Sequence, residues 1–308
     1  MFRLSVPEPG FQEAVAPERR RHLDSHGVKL VLHEWGDPHA PPVLLAHGMW
    51  DHGRGFDLLA PRLAEHFRVI ALDARGHGDS DWADAYSWPS DVMDLVNALR
   101  SLGAPAHLVG HSKGGGQVMD AACMAPELVR SVVSIDGFGP PPEGFQHPRR
   151  PSETTTISEH FTEYLDRRRR AHQRRRWRSY ASLEDLVERR RAQNPRLSKE
   201  WLDYFVFHAS RSIEGGWTWK SDPLATDGFG PWKVEWIGPS WRQLRAPLPA
   251  VIGSEPDTWG PLPESVLAER LANVPELARA TVPGAGHFVH MEEPAQTAEI
   301  LLAFLERG

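Results

Sequence analysis

The stretch AHLVGHSKGGG, residues 106–116, decides how the rest of the chain is read. Its first part, Ala106–Gly110, is short, apolar and bounded by turn residues, as a strand buried on both faces of a sheet must be. A helix follows over Gly115–Leu128. Between the two lies Gly110-His111-Ser112-Lys113-Gly114, a G-x-S-x-G pattern. A serine on so tight a strand-to-helix turn stands exposed at the carboxyl edge of the sheet, and the glycines two places before and after leave room for it. The N-terminus of the next helix lends positive potential to negative charge developing there. Ser112 is therefore the candidate nucleophile.

Working outward, strands and helices alternate. Lys29–Glu34, Pro42–Ala46 (PVLLA), Arg68–Leu72 (RVIAL) and Ser131–Ile135 (SVVSI) read as strands. Phe56–Phe67 and Asp91–Leu102 carry apolar residues at helical spacing. The rhythm stops after Asp136 and resumes at Pro249–Gly253 (PAVIG). A helix over Pro263–Asn273, a strand near Ala278–Val282 and a closing helix over Pro294–Arg307 complete it. The alternation predicts right-handed βαβ units in an α/β fold, a mostly parallel sheet flanked by helices. The interruption, 139–244, begins in a Pro/Gly loop and turns Arg-rich and Trp-rich, with seven of the 12 tryptophans between Trp177 and Trp241. It reads as an inserted, largely helical cap, leaving 1–138 and 245–308 as one core, because the strands on both sides must share a sheet.

Composition narrows the function. The formal net charge is −6 over 308 residues, so nothing global attracts nucleic acid. A single cysteine, Cys123, excludes an internal disulfide and a multi-cysteine zinc cluster. The histidines show no H-E-x-x-H motif that would argue for zinc. The N-terminus lacks the apolar core of a secretory signal, and no apolar run approaches the ~20 residues that span a bilayer. The default expectation is a soluble cytoplasmic protein.

Four motifs together carry a family resemblance: HGMW at 47–50, DARGHGDS at Asp73–Ser80, the turn at 110–114, and GHFVHMEEP at 286–294. With them the chain resembles the α/β-hydrolase fold family, in its serine-nucleophile, esterase-like branch with a helical cap. The resemblance implies a base, an acid and an oxyanion hole. The base falls on His287, carried over the sheet edge by a Pro/Gly loop, with His290 a buried neighbour. The acid follows a later strand: Asp257 fits best, Glu255 is close by, and Asp136, one strand earlier, is the alternative. The oxyanion donors would be the backbone N–H groups of Met49 and Lys113, with the His47 side chain a turn residue. Asp73, Arg75, His77 and Ser80 are expected to tie loops together.

The resemblance thus implies a serine hydrolase that cleaves an ester-type carbonyl through an acyl-enzyme, with no metal or organic cofactor. Thioester, lactone, amide and carbon–carbon bond cleavage, and perhydrolysis, use the same groups, and a small-molecule receptor without turnover is the reading from another class. The expected partner is a small molecule with an apolar acyl or aryl group, with Trp50, Trp177 and Trp217 as pocket walls. The arginines at 167–170, 174–176, 178 and 189–191 read as a solvated face rather than an anion site. Lys113 is expected to pair with Asp136 or to meet a substrate carboxylate.

Overall fold

The computed structural model describes residues 7–139, 179–225, 234–257 and 259–307, with the isolated positions 158–159, 162, 165–166 and 169–170. Ten strands follow in chain order: β1 (Arg19–Ser25), β2 (Val28–Trp35), β3 (Pro42–Ala46), β4 (Arg68–Asp73), β5 (Ala106–His111), β6 (Val129–Ile135), β7 (Ser210–Ile213), β8 (Gly216–Trp219), β9 (Leu248–Gly253) and β10 (Leu277–Val282). Eight of them form one sheet in the order β1-β2-β4-β3-β5-β6-β9-β10. The pairs from β4 to β10 are parallel, while β1–β2 and β2–β4 are antiparallel. This is the mostly parallel sheet flanked by helices that the sequence predicts.

Every residue of β3, β5 and β9 is buried, because helices cover both faces of the sheet. On one face Val92, Leu95, Val96 and Leu99 of the Trp88–Arg100 helix pack with Val118 and Met119 of the Lys113–Met124 helix. On the other, Phe56, Leu59 and Leu63 pack with Leu301 and Leu305 of the Pro294–Leu305 helix. The Trp88–Arg100 helix starts where Ser87 accepts the N–H of Ser90 in a reciprocal capping box, with Pro89 in its first turn.

Two elements depart from expectation. Phe56–Phe67 is not one helix: it breaks into a 3-10 turn, Gly53–Phe56, and a single turn, Ala60–Leu63, because Pro61 has no N–H to continue an upstream helix. The edge strand β1, RRRHLDS, has no apolar alternation to announce it. Its charges are met across the edge instead, Arg21 on Glu34 and Arg20 on Asp79.

The described residues between 139 and 244 include the helices Leu183–Arg191, Lys199–Ala209 and Val234–Trp241 and the β7–β8 hairpin. Leu186, Val187, Trp201, Leu202 and Phe205 form a small core of their own, closed by Leu58, Phe288 and Met291 from elsewhere in the chain. Trp201 and Phe205 thus belong to that core.

Candidate active site

Ser112 sits between the last residue of β5 and the first of the Lys113–Met124 helix, at φ 53° and ψ −119°. Non-glycine residues rarely take such a backbone, and here the surroundings enforce it. Its N–H donates to the Ile135 carbonyl at 2.9 Å. A Cβ on Gly110 would overlap the Gly114 carbonyl, and one on Gly114 would overlap the carbonyls of Ala46 and His47. These walls are backbone and cannot swing aside. We expect Gly114→Ala to cost about 1–3 kcal/mol in chemical denaturation, the usual range for overpacking a filled interior.

The loop after β10 brings His287 over this turn. Its Nε2 lies 3.0 Å from Ser112 Oγ, and its Nδ1 lies 2.6 Å from Asp136 Oδ2. A carboxylate only accepts, so Nδ1 carries the proton and Nε2 is free to accept the serine hydroxyl. The ring is buried. Burial pulls its pKa down, but the charge and hydrogen bond of Asp136, with Asp257 and Asp51 behind, outweigh this and hold it above the ordinary value.

The partner of the ring is therefore Asp136, not Asp257. β6 and β9 are neighbours in the sheet, so the carboxylates that follow them arrive at the same edge. Asp136, at φ 44°, turns its side chain to the imidazole while its N–H donates to Val251 O at 2.8 Å. Asp257 instead accepts the main-chain N–H of His287 on Oδ2 at 2.7 Å, and those of Trp259 and Gly260 on Oδ1. It holds in place the Gly260 backbone, against which Asp136 Oδ2 rests. Glu255 accepts from the adjacent Ser254 hydroxyl and does not reach the ring.

Beside Ser112 runs the turn Gly48-Met49-Trp50-Asp51, which borders the same cleft. The His47 ring fixes its start: Nε2 accepts from Ala74 N–H, and Nδ1 donates to Gly48 O. Trp50 takes φ 60°. The turn's far end is held by Arg190, whose guanidinium bonds to Asp51 Oδ1 and to Trp50 O. Arg190 is buried, its guanidinium stacked 4.9 Å from the Phe205 ring centre, so it is no part of a solvated face. The signal was present in the sequence: Leu186, Val187 and Arg190 share one helical face. Arg189 and Arg191 are exposed, as expected; positions 167–168, 174–176 and 178 of the basic run lie outside the described residues.

Lys113 also departs from expectation. Its Nζ reaches Asp91 on the Trp88–Arg100 helix at 2.6 Å rather than Asp136, and Gln117 shares that carboxylate. Of the expected pocket tryptophans, Trp50 borders the cleft. Trp217 does not: it lies in β8, its main chain paired with Tyr180, its ring against Phe207. Trp177 falls outside the described residues. The aromatic walls are instead Trp50, Trp88, Trp259 and Phe288, around about 930 Å³ of open space.

The residues at 73–80 tie loops. Asp73 accepts from Gly53 N and Asp79 N and meets His33 at 3.0 Å; Arg75 grips Asp94 with two hydrogen bonds; Ser80 donates to Asp73 O. Among the described residues, no group of three His, Cys, Asp or Glu side chains is arranged to hold a metal ion, and no helix is long and apolar enough to cross a membrane.

Comparison with known proteins agrees with this architecture. A serine hydrolase-like protein of Danio rerio is 30% identical over 192 residues, 61% of this chain and 57% of that protein. The matches to this and other curated relatives span about half of those relatives' length. Among solved structures, the thioesterase domain from the curacin biosynthetic pathway superposes with a TM-score of 0.78 at 22% identity, covering 92% of this chain and 98% of that one. E-2-(acetamidomethylene)succinate hydrolase superposes with a TM-score of 0.74 at 25% identity, covering 94% and 99%. The model of the alpha/beta hydrolase family matches residues 43–300, and the chain belongs to that family.

Proposed function

We propose that the chain is a serine hydrolase acting on carboxylic ester-type substrates through an acyl-enzyme on Ser112. The observation that carries this is the line Ser112 Oγ–His287 Nε2 at 3.0 Å and His287 Nδ1–Asp136 Oδ2 at 2.6 Å. His287 takes the hydroxyl proton as Oγ attacks the carbonyl carbon, and Asp136 stabilises the imidazolium that forms. The developing oxyanion is received by the main-chain N–H groups of Met49 and Lys113, the latter at the first residue of a helix. His287 then returns the proton to the departing alcohol. A water, deprotonated by the same imidazole, releases the acid. Residues 139–244 act as the cap over an apolar acyl or aryl group held against Trp88, Trp259 and Phe288.

The hydrolase, esterase and lipase names of the relatives support this class. A fluorophosphonate probe is expected to label Ser112, with labelling lost in Ser112→Ala. A panel of chromogenic esters, thioesters, lactones and amides of graded length then sorts the bond type. Labelling without turnover of any of them would favour a receptor, and absence of labelling would defeat the hydrolase reading.

A further inference from the structure

Arg190, Gln193 and Asn194 border the cleft from one side, and the Asn194 carboxamide stands there without any partner. Arg190 is engaged with Asp51 and Trp50. Asn194, one helical turn further on, borders the same cleft and is only 4% exposed, yet neither its Oδ1 nor its Nδ2 has a hydrogen-bond partner. Its backbone is not the reason. The N–H donates to Arg190 O at 3.0 Å and the carbonyl accepts from Leu197 N at 3.2 Å, so the carboxamide alone is unmatched. An unmatched buried donor and acceptor destabilise a fold, and an apolar residue would remove the cost. A ligand would remove it too. A carboxamide presents one acceptor beside one donor, and the group that answers both carries a donor beside an acceptor. An amide does so. A carboxylate offers nothing to Oδ1, and a hydrocarbon nothing to either atom.

Charge points the same way. The cleft is bordered by two full cations, and each already has a carboxylate: Arg190 has Asp51, and Lys113 has Asp91. The carboxylate of Asp136 is held by His287. Among the described residues of the wall, no cation is left to receive an anionic substrate.

We infer that the substrate carries a neutral, amide-like group, on the part of the molecule that lies under the cap, and that Asn194 reads it. This rests on the serine-hydrolase reading and names the substrate class within it. The test uses 4-nitrophenyl esters of straight-chain acids with two to five methylenes, ending in a carboxamide, an isopropyl group of the same shape, or a carboxylate. Phosphonate probes with the same three ends report Ser112 labelling without turnover. At the best chain length, the carboxamide ester is expected to exceed the isopropyl ester in kcat/KM by about tenfold or more. In Asn194→Leu that ratio is expected to fall to about one, while the melting temperature rises because a buried unpaired amide is gone. Asn194→Asp, which keeps the shape and one acceptor, is expected to lose the carboxamide preference as well. An unchanged ratio in Asn194→Leu, or a preference for the carboxylate, overturns the inference but leaves the hydrolase reading standing. No labelling of Ser112 by any of the probes overturns both.

Discussion

Asp136→Asn is expected to lower kcat on a chromogenic ester by about 10⁴-fold, the loss that follows when the carboxylate behind a catalytic histidine is neutralised. Asp257→Asn is expected to lose far less. The difference follows from where the two carboxylates bond. Asp136 meets the ring nitrogen and so sets the tautomer and the charge of the base. Asp257 meets only main-chain N–H groups and acts by holding the loop. A second readout separates the roles. The imidazole must be neutral to accept the Ser112 proton, so activity rises as pH passes upward through its pKa. Attraction to Asp136 is what offsets burial and keeps that pKa high. In Asp136→Asn the residual activity should therefore rise at lower pH than in the parent. A deeper loss in Asp257→Asn than in Asp136→Asn would reverse the two assignments.

The fold is expected to lose stability in mild acid. His52, His77 and His107 are buried, and burial pushes their pKa values down to about 3, 3 and 4. Two of them use a ring N–H on a main-chain carbonyl, His52 on Phe205 O and His77 on Arg75 O, and none hydrogen-bonds a carboxylate; Asp73 and Asp51 near His52, and Asp51 near His77, only partly offset burial. An unfolded histidine protonates near pH 6.5. The folded value is lower, so the unfolded chain binds the extra protons first, and stability is lost as pH falls from 6.5 toward 4. For the three together the slope approaches about 4 kcal/mol per pH unit. His47, His208 and His290, also pushed down by burial, add to it; His287, held up by Asp136, and the buried carboxyls of Asp57, Asp91 and Asp120, pushed up by burial, work against it. A typical domain has only ~5–15 kcal/mol to lose, so stability is expected to be markedly lower at pH 5.5 than at pH 7.5. Urea titrations at pH 7.5, 6.5 and 5.5 would show it. A flat stability across that window would mean that these rings are hydrated.

The placing of the candidate nucleophile beside the candidate base was legible in the sequence for a local reason. Gly110, Ser112 and Gly114 are fixed by one turn, and His287 by the loop that leaves the last strand; neither needs knowledge of distant partners. The carboxylate that meets the imidazole was not legible in the same way. Asp136 and Asp257 each follow a strand, and only the lateral adjacency of β6 and β9 brings both to one imidazole. Which takes the ring and which the main chain is decided by the turn of a single backbone, Asp136 at φ 44°. Lys113 failed for a related reason. Its partner Asp91 comes from a helix some twenty residues upstream that the sheet brings alongside. Arg190 was hidden by its neighbours: three consecutive arginines look alike until the apolar stripe Leu186–Val187 shows which one faces inward. Strand β1 was missed because its arginines compensate charge at an edge rather than bury an apolar face.

The ion pair between Arg190 and Asp51 has a bearing on protein engineering. A chimera that replaces the helix Leu183–Arg191 with a foreign segment would leave the buried carboxylate of Asp51 without its guanidinium, and the turn at Trp50 would lose its clamp. Any transplant must therefore bring an inward-facing guanidinium at the equivalent height, or exchange Asp51 along with the graft.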